Sequence, residues 1–347
     1  MTTANNLPLA GLKVLELHAI GPVPYAGSLL ISLGAQIVRV SPPSDPKLGV
    51  AMNPEFDVLN AGKTQLLIDM KSAEGMAKVH EQLAQSDVLM EGFRPGVLER
   101  LGLAPADLVK RYPKLVIGRL SGFGSRGELA PRAGHDITYL AMCGVLHAIG
   151  TGETPVPPLN VVADFGGGAM HLLLGVMAKL IQRGITGKGG VAETSILAGS
   201  VGLTPLFFGL TAAGRWNPAK RESNMLDGGV PFYRVYKTKD NRHVAIGAIE
   251  AKFYLELLDV LGLKGEVDPA RQLDPSTYAA TVARFSERIA TKTRDEWAAL
   301  ALPRDACMAP VLDFLEAAKY AHNLDNDLYT DKPFPKPLRT IEFDRGL

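Results

Sequence analysis

The chain has 347 residues, 46% of them hydrophobic and 21% charged, the make-up of a soluble globular protein with room for one large or two moderate domains. With 37 basic against 36 acidic side chains the net charge is +1, so neither nucleic acid nor an anionic membrane finds an electrostatic footprint, and neither is expected as a partner. Cys143 and Cys307 stand far apart with no metal or redox spacing, which fits a reducing compartment and predicts no bound metal. The first residues lack a basic segment followed by a long apolar one, and no uninterrupted apolar run reaches about 18 residues, so neither secretion nor a membrane span is expected. The closing Asp344-Arg345-Gly346-Leu347 is not a peroxisomal address, which leaves a cytoplasmic location as the expectation.

Leu12–Leu17 reads as a short buried strand, Pro24–Leu33 as an amphipathic helix and Gln36–Val40 as a second strand, together a βαβ unit. Strand patterns recur at Gln65–Met70, Asp87–Met90 and Leu115–Leu120, with helical stretches at Ala73–Ala84 and Pro105–Arg111 between them. Such alternation predicts a Rossmann-like parallel α/β sheet covered by helices. A dinucleotide is nevertheless not expected. The first turn, Gly21-Pro22-Val23-Pro24-Tyr25-Ala26-Gly27, lacks Gly-x-Gly-x-x-Gly, its prolines remove N–H groups, and no acidic residue ends the second strand.

Gly166–Arg183 is the strongest helix pattern and should be central and buried; Val191–Ile196 follows as a strand and Leu197–Ala213 as a helix. Residues 1–213 thus form a large α/β domain. The polar, proline-broken stretch 214–229 reads as a linker. A small α+β domain over 230–317 should hold a hairpin, Phe232–Tyr236 with His243–Gly247 turned at Lys239-Asp240-Asn241. Its helices are expected at Ala251–Leu261, Ser276–Thr291 and Arg294–Leu302. Residues 318–347, rich in proline, are expected to run back and complete the large domain.

The chemistry concentrates in Gly134–Gly168. His135 precedes one apolar helical run, and Asp164 precedes Phe165 and three glycines like an N-cap of the next. Two proton-handling groups therefore stand where unpaired N–H donors and positive dipole potential would stabilise a developing oxyanion, the candidates being the peptide groups of Asp164 and Gly166. Taken alone, a histidine at a helix start and a capping aspartate are more often structural than catalytic.

Four stretches alter that balance: Ala133-Gly134-His135-Asp136-Ile137-Thr138-Tyr139, Pro158 through Gly168, Asn224-Met225-Leu226-Asp227-Gly228-Gly229 and Gly247-Ala248-Ile249-Glu250. In this order they closely resemble the α-methylacyl-CoA racemases of the family III CoA-transferase superfamily, and the likeness runs from about Leu9 to about Asp313. The resemblance implies an interlocked homodimer acting on an acyl-CoA, with coenzyme A brought by the substrate and no separate cofactor. It makes His135 and Asp164 opposed acid/base groups on the two faces of an α carbon, working through a thioester enolate. It places Glu250, from the partner's small domain, against the imidazole; by pattern alone Glu250 is an ordinary acid at a helix start. It carries the coenzyme A contacts to Ile68, Asp69, Met70 and Lys71, to Arg94, and to the backbone of Gly134, His135, Asp136, Ile137, Thr138 and Tyr139.

The resemblance suggests that Met170 and Met177 line a methionine-rich acyl surface, but by pattern core filling is the favoured reading. The chain departs from the family at Val40-Ser41-Pro42-Pro43, where Pro42 replaces an arginine expected to bind coenzyme A. Two further readings stay open: a CoA-transferase with Asp164 as nucleophile, which would ordinarily lack the histidine, and a catalytically silent binder of acyl-CoA. The acyl chain itself is not encoded in any motif.

Overall fold

The computed structural model describes residues 7–338, apart from 45, 46 and 51, together with 341 and 343. The C-terminal residues 344–347, read above for a targeting address, lie outside the described residues. By compactness the described chain falls into two units, one of residues 7–146 and 157–205 with 341 and 343, the other of 147–156 and 206–338.

The first unit is built on β1 (Lys13–Leu17), α1 (Pro22–Ser32), β2 (Gln36–Ser41), β3 (Thr64–Leu67), α2 (Ala73–Ala84), β4 (Val88–Glu91), the short α3 (Val97–Arg100), α4 (Pro105–Arg111) and β5 (Val116–Ser121). After α5 (Asp136–Met142) and the turn α6 (Val145–Ala148) come a π-helical segment, Val161–Ala169, and α7 (Met170–Thr186). They are followed by β6 (Gly190–Ser195) and α8 (Ile196–Gly202); α9 (Pro205–Ala212) belongs, after Pro205, to the second unit. The six strands make one wholly parallel sheet in the order β3-β2-β1-β4-β5-β6. Side chains alternate between two apolar layers, as burial of both faces of a parallel sheet requires. Leu15, Leu17, Leu89 and Ile117 pack with α2 and α4, whereas Val14, Val88, Met90 and Val116 pack with α1 and α7.

The order of the strands decides where a ligand can bind. From the central β1 the chain winds outward through β2 and β3, then returns to β4 and winds the other way. Next to β1 the connections part, which is where open parallel sheets take up ligands at the carboxyl ends of their strands.

Two expectations about helices fail here. Asp164 does not cap a helix starting at Gly166; it lies inside the π-helical segment, whose N-cap is Asn160. The expected helix over Leu197–Ala213 is two, α8 and α9, because Pro205 has no N–H to give and drives Thr204 out of the helical region. Val161–Thr186 is otherwise one helical run of 26 residues, apolar enough in composition to cross a membrane. In this fold its Leu172, Leu173 and Val176 are buried in the layer against the sheet.

A charge is buried in that layer too. Glu16, fully enclosed in β1, meets Lys63 Nζ at 2.8 Å and Arg39 Nε at 3.3 Å. Lys63 also donates to the Pro24 carbonyl at 3.0 Å and to Asn60 Oδ1 at 3.1 Å. Desolvation pushes the Glu16 carboxyl up and the Lys63 ammonium down, while each partner restores the other's charge.

The second unit carries a three-stranded antiparallel sheet in the order β7-β8-β9, from β7 (Tyr233–Lys237), β8 (His243–Gly247) and β9 (Met308–Pro310). The hairpin is as the alternation predicts; β9 is an addition. Helices α10 (Ala251–Val260), α11 (Tyr278–Ile289) and α12 (Arg294–Ala301) close a core around Phe232, Tyr254, Phe285 and Trp297. The stretch 214–229, expected to be a linker, belongs to this unit and folds around the buried Asn224. The Asn224 amide accepts from Asn217 N at 2.6 Å and donates to Asp227 Oδ2 at 2.7 Å. Residues 318–338 also group here, through local bonds such as Asn323 Nδ2 to the Ala317 carbonyl at 2.9 Å, whereas 341 and 343 group with the large unit.

Candidate active site

The carboxyl ends of β1, β4 and β5 and the start of the long helix bring five of the expected residues together. The β1–α1 turn ends at Gly21, whose φ of 66° suits glycine, and a Cβ there would stand 3.3 Å from Asp164 Oδ2. One turn into α1, Tyr25 stacks on Phe165 with ring centroids 4.3 Å apart. Behind them the helix backbones touch: a Cβ on Gly199 of α8 would lie 1.9 Å from the Gly167 carbonyl oxygen, so only glycine lets α8 seat the π-helical segment. Close packing at Asp164, Phe165 and Gly167 thus fixes the segment that carries Asp164.

α5 supplies the rest. His135 is its N-cap, held by its own N–H to Thr138 Oγ1 at 3.1 Å, with its side chain exposed. Asp136 is buried and its Oδ2 accepts the N–H groups of Ala163 at 3.0 Å and Asp164 at 2.8 Å. Tyr139, also buried, meets Phe123 edge-on at 4.9 Å.

The electrostatics follow from this enclosure. Burial, and then the neighbouring Asp136 carboxylate, push the Asp164 carboxyl up to about 6, against a hydrogen bond from Asn160 and the attraction of His135. Burial, and then the Asp164 charge, push the Tyr139 phenol up to about 12, with Arg94 opposing. His135, Asp136, Tyr139, Arg94 and Asp164 therefore act on one another within one constellation. A carboxyl poised near 6 can hold or release a proton at neutral pH, as a general acid or base must.

The Asp164 N–H, expected as an unpaired donor for an oxyanion, is already given to Asp136. The expectation overlooked a remote carboxylate, which takes the place of a local cap.

The anion-binding candidates divide. Ile68 is buried; Asp69 Oδ1 accepts the Lys71 N–H at 3.0 Å, Met70 is half-buried, and Ser72 caps α2. This turn follows β3, and Arg94 follows β4, so both lie at the carboxyl edge of the sheet. Lys71 and Arg94 are exposed. A cavity of about 80 Å³ beside Arg94, lined by Phe93, Gly96 and Ser121, offers no free cation: its Arg119 is paired with Glu91 at 2.7 Å and Glu99 at 3.0 Å. Nor does Arg39 replace the arginine missing at Pro42, since it turns inward to Glu16 and to the Ala19 carbonyl. Glu250, in the second unit, is the exposed N-cap of α10 and makes no side-chain capping bond. Among the described residues no three His, Cys, Asp or Glu side chains converge as metal ligands.

Two residues of the constellation escape sequence reasoning. Gly21 was read only as part of a turn unfit for a dinucleotide. Asn160 precedes Asp164 by four residues, a spacing that sets two side chains together on a helix and could have pointed to it.

The model of CoA-transferase family III matches residues 9–344. The chain belongs to CoA-transferase family III. Within the family it is 40% identical to the mouse alpha-methylacyl-CoA racemase over 337 residues, 95% of this chain and 86% of that one. The human alpha-methylacyl-CoA racemase is 38% identical over 341 residues, 96% and 86% of the two chains. A family member of known crystal structure, a CaiB/BaiF family protein from Brucella suis, superimposes with a TM-score of 0.81 at 25% identity, over 98% of this chain and 93% of that one. The sheet and the small unit of this chain fall within that one match.

Proposed function

We propose that the protein is an α-methylacyl-CoA racemase, epimerising the α carbon of 2-methylacyl-CoA thioesters. The observation that carries this reading is the Asp164 carboxyl, poised at about 6 within the electrostatic reach of His135, in a chain 40% identical to the mouse racemase. Epimerisation removes a proton from one face of the α carbon and supplies another to the opposite face. A thioester makes that carbon acidic enough, and its enolate carries the electron pair until the second proton arrives. Asp164 and His135 serve as the two groups and exchange roles in the reverse direction. Lys71 and Arg94 hold coenzyme A phosphates, a point charge and a fork respectively. A homodimer is part of the proposal, a second copy bringing its Glu250 to the imidazole to fix tautomer and ring orientation.

The test is hydrogen exchange. Either epimer of a 2-methylacyl-CoA should take up deuterium from D₂O at the α position while becoming a mixture, and His135→Ala should slow this by the roughly 10²–10⁴-fold typical of a lost acid/base group. A transferase would instead form an Asp164 acyl anhydride trappable by hydroxylamine, pass coenzyme A to a free acid without α exchange, and tolerate His135→Ala. A catalytically silent binder would take up the thioester and do neither.

A further inference from the structure

Asp136 lies in the segment whose backbone is expected to contact coenzyme A, yet its side chain points elsewhere. It is 9% exposed, and one oxygen, Oδ2, accepts both the Ala163 and the Asp164 N–H at 3.0 and 2.8 Å. A π-helix bonds each N–H to the carbonyl five residues back, so its first N–H groups have no partner inside it. Here the first such bond runs from Phe165 N to the Asn160 carbonyl at 3.3 Å. The two N–H groups just before it are the pair that Asp136 takes. Ala163 is fully buried, so its N–H has no recourse to water.

We propose that Asp136 is a positioning residue for Asp164: reaching across from the start of α5, its carboxylate clamps the opening turn of the π-helical segment and so fixes where the Asp164 carboxyl stands. This deepens the racemase reading and rests on it only in naming Asp164 as an acid/base group. The clamp has an electrical consequence, because a second carboxylate beside Asp164 favours its protonated form. The other groups acting on Asp164 are His135 and Tyr139 on α5 and Asn160, which gives it a hydrogen bond; Arg94 after β4 acts on Tyr139, and His171 on α7 meets the Gly166 carbonyl at 3.4 Å. Gly21, just before α1, lies against Asp164 itself, while Tyr25 of α1 stacks on Phe165 and Gly199 and Ser200 of α8 pack on Gly167.

Two variants separate position from charge. Asp136→Asn keeps an oxygen that can accept both N–H groups and loses the charge; Asp136→Ala loses both. Carbon-13 NMR of the Asp164 carboxyl, assigned with Asp164→Asn, follows its titration without any substrate. In Asp136→Asn the midpoint should drop from about 6 toward the ordinary carboxylate range, with the acid limb of the kcat profile moving the same way and KM within about twofold. Asp136→Ala should lower kcat by about 10–100-fold, KM again nearly unchanged, and Asp136→Asn should recover most of that loss. An unimpaired kcat in Asp136→Ala, or variants that raise KM and spare kcat, would overturn the proposal. Amide exchange at Ala163 and Asp164 that speeds up in Asp136→Ala but not in Asp136→Asn, in a protein that turns over no 2-methylacyl-CoA, supports the clamp and sinks the racemase reading instead. If Asp136→Ala fails to fold, Asp136→Ser, too short to reach both N–H groups, replaces it with the same expected loss of kcat.

Discussion

The carboxyl of Asp164 rests against the backbone of Gly21, with Oδ2 3.3 Å from where a Cβ would be. At φ 66° and ψ −111° that residue occupies a region that side chains avoid, so glycine is needed twice, for the turn and for the space. Gly21→Ala should therefore cost about 1–3 kcal/mol of stability from backbone strain. It should also lower kcat more than it raises KM, since a methyl group at this point displaces a reacting carboxyl rather than a remote contact. Urea unfolding and steady-state kinetics on one preparation check both, and an unimpaired kcat would mean that Asp164 does not work from this position.

Asp164 also links stability to pH. Its carboxyl is pushed from the usual carboxylate range up to about 6 by burial and by Asp136, so between those values the folded protein binds more protons than the unfolded chain. The stability from the protonated form is fully present below the unfolded value and is lost as pH rises through about 6. Asp164→Asn, which cannot ionise, should be more stable than the parent at pH 8, on the order of 1 kcal/mol once solvent screening at this half-buried site is allowed for. Near pH 4 the advantage should vanish. Equal differences at both values would show that Asp164 titrates normally.

What could be read in the sequence follows the reach of local rules. The parallel sheet is visible because Val88-Leu89-Met90 and Val116-Ile117 are apolar without alternation, as burial on both faces demands. Glu16 interrupts this pattern, and its buried partner Lys63 is 47 residues away, beyond any periodicity. Asp164 looks like an N-cap because Asp before glycines satisfies local capping chemistry. The acceptor that actually takes its N–H is Asp136, 28 residues earlier, so the cap is tertiary and the helix starts sooner, as a π turn. Proline at 205 did announce a break, but the apolar run across it hid the signal. Asn224 was visible as a motif and invisible as a hub, since its partners become neighbours only once residues 217–227 have folded.

Lys71 and Arg94 follow β3 and β4 at the edge of the sheet where its connections part, and both are exposed. If they hold coenzyme A phosphates, their contacts are the same in ground and transition states, so Lys71→Ala and Arg94→Ala should each raise KM with kcat little changed. The penalty for one charge-assisted contact is about 1–3 kcal/mol. Added salt should weaken the parent's binding more than that of either variant, since part of the screened attraction is already gone in them. Unchanged KM in both variants would remove coenzyme A from this edge.

The buried Glu16–Lys63 pair makes the last prediction. Removing one partner strands a desolvated charge, whereas removing both removes the need for pairing. Lys63→Met should destabilise the protein by about 3–5 kcal/mol, leaving Glu16 with Arg39 alone at 3.3 Å. Glu16→Gln with Lys63→Met should win back a substantial part. The bonds from Lys63 to the Pro24 carbonyl and Asn60 Oδ1 are lost in both variants, so the difference between them isolates the stranded charge. Its sign with pH is also set. Burial already raises the Glu16 carboxyl despite its lysine, and without the lysine it must rise further, so the folded variant gains from protonation at low pH. The deficit of Lys63→Met should accordingly be smaller at pH 5 than at pH 8, and the double variant should show no such dependence. Urea midpoints at the two pH values measure this, and a double variant as unstable as the single one would mean that the lost lysine contacts, not the stranded carboxylate, set the cost.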